Sequence, residues 1–458
     1  MSVNIKLKKG FDINLAGKAE KNVVQVPMSD TYALKPEEFI GFVKPKLLVK
    51  EGDKVKAGQA LYFDKSLESI KFASPVSGEI VEIRRGEKRR LLEIVVKADG
   101  SQAYVQNKTY SASEISNLSV EETKKAMLEG GVWPCLIQRP FSVIANPEDA
   151  PKAIFISGFD SAPLAPDYSV VLKGEEENFK IGIEVLKKLT EGTVHLNLSA
   201  DAEVTNAYSG ANGIQLNKIS GPHPAGNVGV QIHHIAPINK GEIVWTLNPQ
   251  SVVVIGRLFN KGIYDVTKVV AVAGSEVKNP QYYKVIGGVK VSDLVANNLK
   301  SDHVRCISGN VLSGTKVSQE GYLGFYDNLL TVIPEGDQLR FFGSFLPSTD
   351  RVSFHRSLGL FSFLNKFINP TKEYEVDTNI NGEHRAFVQT GVFEQVLPMD
   401  IYPTHLLKAI LTEDFEEMEA LGIYEVAEED FALCEFVDVS KNDIQSIIRT
   451  GLDLMKNS

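Results

Sequence analysis

Between Lys44 and Asp99 a chain-reversing pair arrives every few residues: Gly52-Asp53, Ala57-Gly58, Ser77-Gly78 and Arg85-Gly86. Glycine and aspartate accept the backbone angles that turns demand, and the alternating segments between these pairs are too short for helices. KPKLLVKEGDKVKAGQALYFDK, SLESIKFASPVSGEIVEI and RRGEKRRLLEIVVKADG therefore predict a compact all-β module. That module uses a small part of 458 residues. Single cores stop growing below such a length and split into units of roughly 100–200 residues, so three or four domains are expected. With 43% hydrophobic and 23% charged residues, each has enough apolar material to close a core.

A net charge of -9 opposes nucleic-acid binding, which needs clustered Lys and Arg to meet phosphates. No stretch approaches the ~20 apolar residues that span a bilayer. The best runs, such as Ser251 to Phe259, are strand-length and carry Arg257, so any membrane role is expected to be peripheral. Met1 to Gly17 lacks the continuous apolar core of a signal peptide, which predicts a cytoplasmic location. Cys135, Cys306 and Cys434 lie far apart, as expected in a reducing compartment, and form no CxxC pair for a metal or cluster.

Further along, Ser119 and Glu122 form a capping-box pattern before KKAMLEGG. AIFIS at Ala153–Ser157 reads as a buried strand, Glu175 to Leu189 as a helix, and Thr193 to Leu198 as a strand. SVVVI at Ser251–Ile255 is also read as a strand, and the alternation predicts a Rossmann-like α/β layer with parallel pairing. From Val269 come strands, a Gly-rich turn and a short helix near Ser292. Aromatics follow Pro334, then helices over Pro403–Gly422, Glu428–Phe436 and Ser440–Met455. The expected units are 1–105 (all-β), 106–257 (α/β), 258–332 (β-rich with one helix) and 333–458 (mixed, with a helical tail).

Several strings carry resemblances. EGD-V-KAGQ-L followed by SP-SGEI resembles the barrel-sandwich hybrids of lipoyl and biotin carriers, and VVAVAGSEVKNPQYYKVIGGVKVSDL resembles a soluble-ligand-binding β-grasp (SLBB) domain. The order of modules resembles RnfC and, partly permuted, the flavin-binding subunit of respiratory complex I. IKLKKGFDINLAG, SPVSGEIVEIRRGEKR, QRPFS (138–142), SGPHPAGNVG (220–229), SGNVLSGTK (308–316) and EEDFALCEFV (428–437) resemble, from end to end, the NqrA family of the sodium-translocating NADH:quinone oxidoreductase. The resemblance implies a peripheral subunit on the cytoplasmic side of the bacterial inner membrane, within a six-subunit complex that includes an integral membrane subunit. It implies quinone, either ubiquinone or menaquinone, as a possible substrate, with flavins and Fe-S clusters on partner subunits and no tightly bound cofactor in this chain.

The candidate residues each have a plainer reading. Trp133, Arg139 and Phe141 offer aromatic faces and a cation to a planar head group with two carbonyl oxygens, or they plug a domain interface. His223, between Pro222 and Pro224, could donate to a quinone carbonyl or fasten a domain junction. His233 and His234 are read as strand residues pointing to opposite faces. Arg84, Arg85, Lys88, Arg89 and Arg90 crowd one hairpin, which is either a solvated turn or a docking tip for anionic lipid or an acidic partner. Lys65 stands where a carrier domain bears its modified lysine, without the flanking residues a ligase reads. The loop GFDSAPLAPD keeps one glycine, Gly158, and its prolines remove donors a flavin phosphate needs. Cys434, alone in the tail, is read as a buried small hydrophobe. The alternatives are an acyl-carrier or soluble-ligand module, or else part of a flavin-dependent NADH dehydrogenase.

Overall fold

A computed structural model describes residues 3–42, 44–201, 204–337, 354–355, 369, 371–388 and 391–458. The N-terminal arm opens with β1 (Asn4–Lys6) and β2 (Glu20–Gln25), which pair in parallel with strands far along the chain. The turn-punctuated region then forms β3 (Thr31–Leu34), β4 (Pro45–Leu47), β5 (Lys54–Val55), β6 (Ala60–Asp64), β7 (Leu67–Ala73), β8 (Gly78–Arg85) and β9 (Leu91–Ala98). They build two facing sheets, β3-β9-β8-β5 and β4-β6-β7. This is the all-β module expected from the turn pairs, in the barrel-sandwich form that the resemblance implies. Gly78, at φ +159, packs where a Cβ would stand 1.9 Å from Lys97 O, so only glycine lets the two backbones meet there.

The α/β layer begins with α1 (Ala112–Asn117) and α2 (Val120–Glu129). Ser119 and Glu122 form the expected reciprocal capping box at the start of α2. Then follow β10 (Ile137–Arg139), β11 (Val143–Ile144), β12 (Ala153–Ser157), α3 (Tyr168–Val171), α4 (Glu176–Leu186), β13 (Thr193–Ser199), α5 (Asn206–Ser209), β14 (Gln215–Ser220), α6 (Val228–Ile235), β15 (Val244–Leu247) and α7 (Pro249–Lys261). The sheet order is β1-β14-β13-β12-β15-β10-β11, parallel from β1 through β15. From β12 the chain steps outward to β13 and β14, then returns to β15 on the other side of β12. The topology therefore reverses between β12 and β15.

Two expectations are corrected here. Ser251–Ile255 lies inside α7, not in a strand. Asn248 caps that helix by accepting Ser251 N–H at 2.9 Å, Pro249 opens it, and Gly262 at φ +67 ends it. Its β-branched run is buried on nearly every side, and a wholly apolar run has no period to distinguish helix from strand. His233 and His234 lie at the C-terminal end of α6, not in a strand. The spacing of Val228, Ile232 and Ile235 puts apolar groups on one helix face.

The β-grasp unit contains β16 (Thr267–Ala273), β17 (Gln281–Ile286), α8 (Val291–Val295), β18 (Val304–Ser308), β19 (Thr315–Val317) and β20 (Leu329–Pro334), in the order β19-β18-β20-β16-β17-β2. The aromatic stretch after Pro334 lies largely outside the described residues. The tail forms α9 (Phe393–Val396), α10 (Pro403–Leu411), α11 (Phe415–Ala420), α12 (Ala432–Val437) and α13 (Ile444–Asn457). One continuous apolar core runs through all these modules. None of the described helices is long and apolar enough to cross a membrane.

Candidate functional site

Open α/β sheets receive ligands at the carboxyl ends of their strands where the topology reverses. A cavity of about 520 Å³ opens at that place. Ser157, Phe159 and Asp160 follow β12, Leu247 and Asn248 follow β15, and His223 and Asn227 come from the loop after β14. The wall is completed by Arg139 and Ser142, by Tyr326 of the β-grasp unit, and by Glu428 and Glu429 of the tail.

His223 is 3% exposed. Its backbone N–H is held by Asp12 at 2.8 Å, and its Nδ1 lies 3.0 Å from Ser161 Oγ. That hydroxyl accepts the Gly226 N–H at 2.7 Å and still has its own hydrogen for the imidazole. Burial pushes His223 down to about 4, so the ring is neutral at pH 7.

Arg139, also 3% exposed, reaches the tail. Its Nη2 donates to Glu429 at 2.7 Å and its Nη1 to Asp430 at 3.2 Å. Burial raises the Asp430 carboxyl and, in the same cluster, that of Glu429, with Arg139 pulling both down. The loop beyond Arg139 is strained, because Phe141 and Ser142 are consecutive residues at φ +83 and +51. Arg449 Nη1 fixes that loop through Phe141 O at 2.8 Å and meets Glu428 at 3.0 Å.

The structure thus brings Arg139 and His223 to one cavity and separates the other two candidates from its lining. Trp133 is 0% exposed in the core, gives its Nε1 to Ala145 O at 2.7 Å and packs edge-on against Trp245. Phe141 meets Tyr424 edge-on at 6.0 Å. In the basic hairpin, Arg84 is paired with Glu82 and Glu93, and Arg90 with Glu37. Arg85 bonds Arg89 O, while Lys88 and Arg89 are exposed at φ +52 and +61.

Lys65 is exposed in the turn between β6 and β7. His233 bridges Glu425 at 2.7 Å and accepts Asp400 N–H at 3.0 Å, while His234 Nε2 donates to Pro398 O, so both fasten the layer to the tail. Cys434 is fully buried, its thiol pushed up by desolvation. Among the described residues no group of three or more His, Cys, Asp or Glu could hold a metal ion. Sequence reasoning missed Asp160, Ser161, Glu429 and Asp430. Only the acidic run Glu428–Asp430 was a signal, and its partner Arg139 stands 291 residues from Asp430.

Comparisons with known proteins agree along the chain. Residues 5–99 match the family described as NqrA N-terminal barrel-sandwich hybrid domain, 118–264 the NqrA second alpha/beta domain, and 269–319 the NQRA C-terminal domain. The corresponding subunit of the Na(+)-translocating NADH-quinone reductase of Neisseria meningitidis serogroup B is 38% identical over 454 residues, covering 99% of each chain. Its counterpart in Yersinia pestis bv. Antiqua is 39% identical over 446 residues, 97% of this chain and 98% of the relative.

Proposed function

Because this chain belongs to the NqrA family of the Na+-translocating NADH-quinone reductase, we propose that its switch-point cavity contacts the quinone head group during quinone reduction. The chain works as a subunit of that oxidoreductase. We place it on the cytoplasmic side of the bacterial inner membrane, docked on an integral membrane subunit within a six-subunit complex. Flavins and Fe-S clusters belong to its partners, and this chain carries no tightly bound redox group of its own. The quinone is ubiquinone or menaquinone.

One observation carries the reading: a neutral, nine-tenths buried imidazole and a buried guanidinium line the same cavity at the reversal point of the sheet. A quinone carbonyl accepts a hydrogen bond, and with His223 Nδ1 taking the Ser161 hydroxyl, its Nε2–H is left as the donor. Arg139 holds the opposite wall through Glu429. Trp133 serves this reading indirectly, by fixing the helix-to-loop exit that aims Arg139, and Phe141 by packing the loop on the tail. Arg85, Lys88 and Arg89 are the cations of the hairpin best placed to dock on anionic lipid or an acidic partner surface, each contributing about 1 kcal/mol near a membrane.

The test is the His223→Phe variant in the assembled complex. Its quinone reduction falls roughly tenfold, the worth of one hydrogen bond, while NADH oxidation by an artificial acceptor stays unchanged. Equal quinone kinetics in variant and wild type remove His223 from the site.

A further inference from the structure

Three neighbouring parallel strands set polar side chains side by side under α6. Ser157 of β12 stands in register with Asn197 of β13, and Asn197 with Asn217 of β14. Asn197 and Asn217 are 0% exposed, and Gln231 of α6, which bonds the first two of the row, is 1% exposed. Apolar side chains of the same shape would pack there with little loss of stability, whereas a polar row needs every partner in place. What such a row adds is a fixed geometry.

Each amide gives its N–H to the next. Val3 N donates to Asn217 Oδ1 at 3.2 Å, and Gln215 Nε2 to the same oxygen at 2.9 Å. Asn217 Nδ2 donates to Asn197 Oδ1 at 2.8 Å and lies 3.3 Å from His195 Nδ1. Asn197 Nδ2 donates to Gln231 Oε1 at 2.8 Å, and Gln231 Nε2 to Ser157 Oγ at 2.8 Å and Ala225 O at 3.2 Å. A main-chain donor stands at one end and a main-chain acceptor at the other, and neither can exchange roles. All three amides are thereby held in one sense. Ser157 Oγ, already accepting from Gln231, gives its hydrogen to the carbonyls of Gly226 and Phe159, each at 2.9 Å.

The row ends on the loop that carries His223. Gln231 and Ser157 grip Ala225 O and Gly226 O from the sheet side, while Ser161 Oγ takes the Gly226 N–H from the other side and meets the imidazole. A Cβ on Gly226 would stand 2.4 Å from Ser161 N, so the two loops touch backbone to backbone. We propose that the row Asn217–Asn197–Gln231–Ser157 is a positioning device, holding the 223–226 loop, and with it the His223 ring, in one orientation at the cavity wall. Gln231 is its key positioning residue, acting from behind the lining. The effect on the reaction rests on the quinone reading of the cavity; the effect on the loop rests on the hydrogen bonds alone.

Two measurements on Gln231→Met, which keeps the length and loses the amide, separate these effects. Hydrogen exchange of the full chain, read by mass spectrometry, speeds up roughly tenfold in peptides covering 220–229, the worth of one hydrogen bond, and stays unchanged in α7. In the assembled complex, quinone reduction falls roughly threefold to tenfold. The same substitution made on His223→Phe costs nothing further, because Gln231 acts through that ring, whereas a merely structural role lowers both backgrounds alike. Should the methionine variant fail to assemble, Ser157→Ala, which removes the hydroxyl hold on Gly226 O, goes through both measurements. Unchanged exchange at 220–229, or an equal loss with and without His223, overturns the proposal. A His223→Phe complex with unaltered quinone kinetics removes the quinone reading instead, and the exchange result then decides the row by itself.

Discussion

Two buried imidazoles make the fold lose stability as the pH falls. His195, 5% exposed and stacked on Phe155 at 4.4 Å, and His223, 3% exposed, are both pushed by burial from 6.5 to about 4. As the pH falls below 6.5 the unfolded chain takes up protons that the folded chain refuses until about 4. The stability each contributes is therefore complete above 6.5 and lost progressively toward 4, at most about 3 kcal/mol apiece. His195→Gln should flatten the decline in urea midpoint between pH 6.5 and 4, and an unchanged profile would contradict the burial argument. At this scale the sequence pointed to Arg139 and His223, because prolines and an isolated cation stand out locally. It could not point to Asp430, whose meaning comes from a guanidinium on a distant strand.

At the level of elements, the turn-rich β module, the capping box of α2 and the tail helices were all legible, since each is written in short-range residue chemistry. The run Ser251–Ile255 was not, because complete burial removes the polar face that would reveal a helix. That burial arises where α7 crosses α4. A Cβ on Gly256 would stand 1.8 Å from Asn178 O, and one on Gly182 2.2 Å from Val252 O. The helices meet backbone to backbone through these two glycines. Gly256→Ala must push them apart, at a cost of about 3 kcal/mol or more, read as a fall in urea midpoint. A loss below about 0.5 kcal/mol, the level of an ordinary surface change, would contradict the close crossing. Ser119→Ala, removing the α2 cap, should cost about 1 kcal/mol. A capped α2 unaffected by the change would mean that its packing alone holds it.

Across the whole molecule, the arm before Pro27 contributes the edge strands β1 and β2 to two different sheets, and the His233–Glu425 pair joins the α/β layer to the tail. The cavity exists only where these units meet, with walls from the layer, the β-grasp loop and the tail. Sequence patterns located the units but not their convergence, which depends on contacts between residues hundreds of positions apart. The basic hairpin belongs to this scale too: reversing Arg85, Lys88 and Arg89 to glutamate should weaken retention of the chain on membranes carrying its partners without lowering its melting temperature. Unaltered retention would leave the hairpin a solvated turn. The central claim is that the quinone head group meets this chain at the reversal point of its sheet. It is tested most directly by a photoreactive quinone on the assembled complex, with the labelled peptides mapped by mass spectrometry. The account predicts label within 139–142 or 220–229, lost when excess unlabelled quinone competes; competable label confined to the partner subunits would contradict it.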